Sequence, residues 1–446
     1  MTRFPLFFKT FMIALLTLLL LIPLSMIESK ISERQSLQSS VQSEIAQSAS
    51  GPQTLDGPYI VVNYKLLVRT TEKDAEGKDK AFVREDGPYM AKVSPSTLKI
   101  NGEANVEERN RGIYKARLYN LTSNISGDFS LPAGFGINKP LENIVVDKVY
   151  LVMGVSDSRG IRNNPPLTIN NSKFQFEAGS PLSGNGMRAN LGRLNINEAY
   201  QFKFSFPLEL QGMTTLSITP SGEDTEMRLS SSWPHPSFGG QYLPRTRDIN
   251  EMGFKALWQI PKLARNINAA CTTASTACES SSPSPTIESF SVDFVDPVNI
   301  YLQSERAVKY GVMFIVLIFT AFFLFEMLRK MRIHPLQYLL VGLAMAMFFL
   351  LVISLSEHIS FALAYFVSGS ACVALIGTYL AGLLQSRKPA MAFSAGIALL
   401  YSVLYGVLQS EDNALLMGSL VLFTALASAM LLTRHMDWYR ISESTS

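Results

Sequence analysis

Six runs of predominantly apolar residues, at roughly 5–27, 309–328, 335–355, 360–384, 390–409 and 414–433, constrain this 446-residue chain more than any other feature. A helix crosses a bilayer core with about 20 apolar residues, and each run reaches that length. One run stands alone at the start and five crowd together at the end, with roughly 280 residues of mixed polarity between them. The pattern predicts a membrane α-helical bundle of six transmembrane helices carrying one large domain outside the bilayer. A cleaved signal peptide is the alternative for the first run, given its basic start and apolar middle. Against it stand the missing small-x-small pair around Pro23-Leu24-Ser25-Met26-Ile27 and the length of the run.

Charge sets the orientation. Short loops with Arg329, Lys330 and Arg332, with Arg387 and Lys388, and with Arg434 and Arg440 alternate with loops bearing Glu357, or Glu411 and Asp412. Basic loops face the cytoplasm, so a basic N-terminus with Arg3 and Lys9 and six crossings return the C-terminus to the cytoplasm. Outside residues 28–307 there are ten Lys/Arg and six Asp/Glu, against 29 and 30 within them. The formal net charge of +3 therefore belongs to the cytoplasmic face of a membrane protein. Membrane lipids are the implied partner; a nucleic-acid partner would need a basic face on the soluble domain.

The expected organisation is an N-terminal transmembrane anchor over 1–27, a helical stalk over 28–50, a mainly-β domain over 51–300, and a five-helix transmembrane bundle over 301–440. In the stalk, Ile31, Leu37, Val41 and Ile45 recur at near-helical spacing until Gly51-Pro52 stops the helix. In the large domain, runs such as Tyr59–Tyr64, Ile144–Val152 and Tyr200–Phe206 are β-branched or aromatic and separated by Gly, Pro, Asn and Ser. Helical periodicity there is confined to residues 261–270. A β-sandwich-like pair of packed sheets follows, as one domain or as two with a break near Pro165-Pro166 or Gly184-Asn185-Gly186. Cys271 and Cys278 lie seven positions apart beside a Ser/Pro-rich stretch, either as a small disulfide loop or as two free thiols in a linker.

Chemistry-bearing constellations are sparse. The four histidines, His235, His334, His358 and His435, are scattered, and no HExxH, paired CxxC or phosphate-cradling glycine loop appears. No metal, cofactor or catalytic residue is assigned. Candidate interaction residues are Trp233, His235 and Phe238 in a proline-fixed corner with few donors for a sheet ladder, and Asp157 and Arg159 at a strand exit, where a turn-stabilising ion pair is the plainer reading. On the outer loops, Glu357, His358, Glu411 and Asp412 form either a ring that seats the large domain or binds a cation or headgroup, or two unrelated solvated loops. Glu326 precedes Lys330 by four residues, which predicts a helix-end pair drawn to the interface. Ser370, Ala374, Gly377 and Ala381 form a small-residue stripe suited to close helix packing.

Together these segments resemble the CreD family of inner-membrane proteins. The resemblance is carried by Ser50-Gly51-Pro52-Gln53, Val106-Glu107-Glu108-Arg109 with Gly112-Ile113-Tyr114, Asp157-Ser158-Arg159-Gly160-Ile161, and Trp233-Pro234-His235-Pro236-Ser237-Phe238. It continues through His334-Pro335-Leu336-Gln337-Tyr338-Leu339-Leu340-Val341-Gly342, Ser356-Glu357-His358 and Asp437-Trp438-Tyr439. It implies a multi-pass protein of the inner (plasma) membrane of a Gram-negative bacterium, with the large domain periplasmic. It further implies a role in cell-envelope integrity, a two-component regulon and a link to colicin tolerance, and it carries no catalytic residues. The leading expectation is a non-enzymatic protein whose β-domain binds or scaffolds another envelope protein or component. A transporter or handler of lipid or envelope precursors, and a periplasmic enzyme of unrecognised class, are the alternatives.

Overall fold

The computed structural model describes residues 5–73, 79–264, 270–272, 288–294, 300–329, 333–384, 387–409 and 414–434. The chain divides into two compact units, one formed by Met1–Ser39 with Val298–Ser446 and the other by Ser40–Pro297.

The first unit is helical: α1 (Pro5–Ser48), α2 (Ile300–Arg329), α3 (Pro335–Ser356), α4 (Phe361–Leu384), α5 (Arg387–Gln409) and α6 (Ala414–Thr433). The first five are long and apolar enough to cross a membrane, while the apolar part of α6, Leu416–Leu431, is shorter. Continuous through Pro23 and the expected stalk, α1 supplies residues to both units. It buries a narrow seam of Leu20, Leu24, Ile27 and Ile31, whose 4-3-4 spacing keeps one helix face against its neighbours. Leu37, expected on the stalk's apolar face, is instead 44% exposed. α3 begins with a capping box in which His334 Nδ1 accepts from the Leu336 amide at 3.2 Å and Gln337 Oε1 accepts from the His334 amide at 3.0 Å. Pro335 occupies the first helical position, where a missing N–H costs nothing. In the small-residue stripe of α4, Ser370 and Ala374 are exposed. Close approach occurs at Gly377, where an added Cβ would lie 2.6 Å from Ser394 Oγ of α5.

Among the described residues, the second unit contains a nine-stranded and an eight-stranded sheet. The first orders Pro236–Gly240, Phe290–Phe294, Thr215–Ile218, Gln53–Lys73, Ile144–Val155, Gly184–Gly192 and Glu177–Ser180, with Asp79–Val93 and Ala270–Thr272 branching from it. The second orders Thr246–Asn250, Gly253–Ile260, Asp224–Ser231, Thr97–Arg111, Tyr114–Leu131, Tyr200–Met213, Pro166–Ile169 and Ser172–Gln175. Alternation along the strands sets which face is buried: in Asp224–Ser231, Thr225, Met227, Leu229 and Ser231 point inward. Inward residues of both sheets, among them Tyr64, Phe129, Leu151, Phe206, Trp258 and Phe294, form one hydrophobic cluster. Each such side chain contributes on the order of 1.5–3 kcal/mol by leaving water. Residues on both sides of Pro165-Pro166 and of Gly184–Gly186 belong to that cluster. In place of the helix that periodicity suggests over 261–270, the described residues hold a 3-10 turn at Lys262–Ala264.

Candidate functional site

In the β unit, the segments singled out in the sequence meet at the last turns of α1. Gln53 is fully buried, and its side chain behaves like a short piece of strand. Nε2 donates to the carbonyls of Asp157 at 3.0 Å and Gln211 at 3.2 Å, and Oε1 accepts from the Asp157 amide at 3.2 Å and Ser156 Oγ at 3.1 Å. Ser50 Oγ donates to the same Gln211 carbonyl at 2.7 Å. Gly160 closes the joint, since a Cβ there would stand 2.3 Å from Gln53 Nε2 and 2.4 Å from the Gln211 carbonyl oxygen.

Asp157 caps the 3-10 turn Ser158–Gly160 by accepting from the Arg159 amide, and it also accepts from the Gly51 amide at 3.3 Å. Arg159 Nη2 pairs with Asp157 Oδ2 at 2.7 Å. The guanidinium beside it, together with the Arg159 and Gly51 amides, holds the Asp157 carboxyl below its usual range, against a smaller opposing effect of burial. Arg159 extends beyond this pair to donate to the Gln47 carbonyl and, at 3.4 Å, to the Ala46 carbonyl. A cation is thereby placed on the last unpaired carbonyls of α1, where the helix dipole is negative.

The Val106–Tyr114 segment reaches the same helix end. It forms a hairpin turn at Gly112, whose φ of +63° suits glycine. Arg111 pairs with Glu44 at 2.6 Å, Gln42 donates to the Lys115 carbonyl at 3.3 Å, and Ile45 packs with Ala116, Leu118 and Met213. Arg117, held by Glu108 at 3.4 Å, lies 4.1 Å over the Trp233 ring. Trp233 Nε1 donates to the His235 carbonyl at 3.0 Å, which turns the corner back on itself. Phe238 packs edge-on against Phe254 and Trp258, while the His235 side chain is exposed. The prolines leave few donors for a sheet ladder, and Pro236 nevertheless starts a strand that pairs with Phe290–Phe294. That strand ends the order of its sheet, a position where proline's missing donor is tolerated.

In the helical unit, Glu326 corrects the sequence expectation. It is 3% exposed and buried rather than drawn to the interface, and Lys330 lies outside the described residues. Its carboxylate accepts from Lys9 Nζ of α1, from Tyr338 Oη at 2.9 Å and from the Ile333 amide at 2.9 Å. Phe319 and Phe322 stand edge-on to the Tyr338 ring. Further along, Gly342 admits α1: a Cβ there would be 2.2 Å from Leu20 Cδ1. Glu357, at the end of α3, lies 3.6 Å from Arg34 of α1 and accepts from Tyr301 Oη at 3.4 Å. His358 is exposed, and its amide donates to the Leu355 carbonyl at 2.9 Å.

Glu411, Asp412 and Cys278, with the side chain of Cys271, lie outside the described residues, and with them the complete outer-loop ring and the disulfide. Among the described residues, no group of three His, Cys, Asp or Glu could hold a metal ion. The pairing of Glu326 with Lys9 is hidden from sequence reasoning because the two are 317 positions apart, whereas an apparent partner stands one helical turn away.

A family model described as Inner membrane protein CreD matches residues 5–439. The Inner membrane protein CreD of Escherichia coli (strain K12) is 36% identical over 443 residues, covering 99% of this chain and 96% of that protein. Among solved structures, an M1 zinc metallopeptidase from Deinococcus radiodurans matches with 8% identity and a TM-score of 0.20, over 45% of this chain and 42% of that one. Native leukotriene A4 hydrolase from Saccharomyces cerevisiae matches with 12% identity and a TM-score of 0.21, over 45% of this chain and 29% of that one. Scores this low assign neither fold nor chemistry.

Proposed function

The chain belongs to the CreD family of inner membrane proteins, and we propose that it supports cell-envelope integrity without catalysing a reaction. In this reading both termini are cytoplasmic, six helices cross the membrane, and the β unit is a periplasmic binding or scaffolding module of sandwich-like build. The alternating loop charges support the orientation. A two-component regulon and a link to colicin tolerance belong to the same reading.

One observation carries it: several polar groups of the resemblance-bearing segments fasten helix ends and loops. Gln53, Asp157 and Arg159 are committed to one joint, His334 to a cap, Tyr338 to Glu326, and Glu357 to Arg34 of α1. A catalytic constellation would instead direct acids, bases or nucleophiles at a shared point where a reacting atom sits. α1 contributes residues to both units and is in this reading one covalent path by which a load or a binding event in one would reach the other.

The test is photo-crosslinking in intact cells, with a photoreactive residue at the exposed positions His235 and Lys255 of the β unit. Capture of a defined envelope protein or polymer is the expected result. Capture of lipid precursors alone, or their conversion by the purified protein, would replace this reading with precursor handling or catalysis.

A further inference from the structure

A strand at the end of a sheet offers unpaired N–H and C=O groups to any other chain, and folded proteins usually blunt it with proline, glycine, a bulge or shortness. Among the described residues, Pro236–Gly240 opens on a proline and closes on two glycines, Glu177–Ser180 breaks register at Gly179, and Ser172–Gln175 has four residues. Thr246–Asn250 differs. It ends the eight-stranded sheet with five residues in unbroken register against Gly253–Ile260, and it contains neither proline nor glycine.

Every residue of this edge strand is exposed. Arg247 and Ile249 stand opposite the buried Ala256 and Phe254, which puts them on the core-facing side of the sheet, yet Ile249 is 44% exposed. Asp248, opposite Lys255, lies on the other side. Glu251 follows the strand and is exposed as well. The side chains of Arg247, Asp248 and Glu251 make no ion pair or hydrogen bond among the described residues. The edge therefore carries an apolar residue flanked by a cation two positions before it and an anion two positions after it, all uncommitted.

We infer that this edge pairs antiparallel with the same edge of a second copy of the chain, about a two-fold axis at Ile249. In a two-fold contact each residue meets its counterpart reciprocally, so the choice of central residue fixes every pair. Centred on Arg247 or Asp248, the contact opposes that charge with itself; centred on Thr246, it opposes Arg245 with Arg247; centred on Asn250, it sets Ile249 against Glu251. Centred on Ile249, the two isoleucines meet, Asp248 faces Asn250, and Arg247 faces Glu251, each of the last two pairs occurring twice. Opposite charges across a ladder stabilise it and like charges weaken it, which selects this register. The contact joins two eight-stranded sheets into one continuous sheet. It is smaller than a standard interface, so the dimer is a weak one, formed among copies concentrated in a membrane. It goes beyond the scaffold reading and does not depend on it.

Directly opposed Cα atoms of antiparallel strands lie about 4.5–5.5 Å apart, within reach of a disulfide. The experiment uses membranes of cells producing the full chain with its three native cysteines changed to serine. Under mild oxidation, Ile249→Cys is expected to give a disulfide-linked dimer. Asp248→Cys should not link to itself, but should link to a co-produced, differently tagged chain carrying Asn250→Cys. Arg247→Glu and Glu251→Arg should each lower the Ile249→Cys yield roughly fivefold or more, and the two exchanges together should restore it. All these positions are exposed, so melting should stay at the wild-type value. The inference is overturned if Ile249→Cys links no better than Asp248→Cys alone, if neither single exchange lowers its yield, or if the double exchange fails to restore it.

Discussion

Gln53 exchanges hydrogen bonds with both the amide and the carbonyl of Asp157, a residue 104 positions away, and so closes a ladder rung with a side chain. The rung ties the chain just after α1 to the strand exit that bears Arg159, and Arg159 in turn caps α1. Loss of Gln53 would expose several committed groups at once.

Gln53→Ala should therefore lower the melting temperature of the β unit. It strands the part-buried Asp157 amide and carbonyl, at about 1–3 kcal/mol for each group left unpaired, while the Gln211 carbonyl keeps Ser50 as a donor. Gly160→Ala should be at least as damaging through overpacking, roughly 1–3 kcal/mol or more. Scanning fluorimetry of the full chain in detergent gives the comparison, and wild-type melting in both variants would show that the joint contributes no stability.

The Asp157 carboxyl, depressed by Arg159 and by two amides, makes a signed prediction about pH. A group with a lowered folded value contributes stability that is fully present above its unfolded value, about 3.9 for aspartate, and is lost as pH falls through the folded value. The melting difference between wild type and Asp157→Asn should be constant near neutrality and shrink below about pH 4. A difference that grows on acidification would contradict the assignment.

Lys9 and Glu326 should behave as a coupled pair. Lys9→Met leaves a buried carboxylate with two neutral donors, at a cost of about 3–5 kcal/mol for a broken buried pair. Lys9→Met with Glu326→Gln should regain much of that loss, because the introduced amide is uncharged and its oxygen can still accept from Tyr338. Thermal stability measured around the double-mutant cycle checks it; additive losses would mean that the two side chains act independently.

Topology can be read from exposed positions. A cysteine replacing His358 should react with a membrane-impermeant maleimide in intact cells, and one replacing Lys388 should react only after lysis. Reversal of that pattern would invert the proposed orientation.

The helices are legible because lipid imposes length and apolarity on each segment separately, so five of them read directly from local composition. Strands such as Asp224–Ser231 are legible for a similar reason, since alternation is a local signal of a half-buried sheet. The joints are not. Arg159 reads as a turn residue until the carbonyls of Ala46 and Gln47, more than a hundred positions earlier, are placed beside it. Glu326 reads as a surface pair because its local neighbour Lys330 masks a partner on another helix. Sequence spacing reports contacts one turn or one rung away, and these residues act through contacts that only the fold creates.

Severing α1 between its two sets of anchors separates its role as a link from the folding of either unit. Arg34 and Glu357 hold it in the helical unit, and Glu44 with Arg111 and the Arg159 cap hold it in the β unit. A protease site replacing the residues around the exposed Leu37 would allow cleavage in cells whose detergent resistance is made to depend on this protein. Cleavage is expected to abolish envelope protection while both units retain their melting transitions. Full protection after complete cleavage would contradict it.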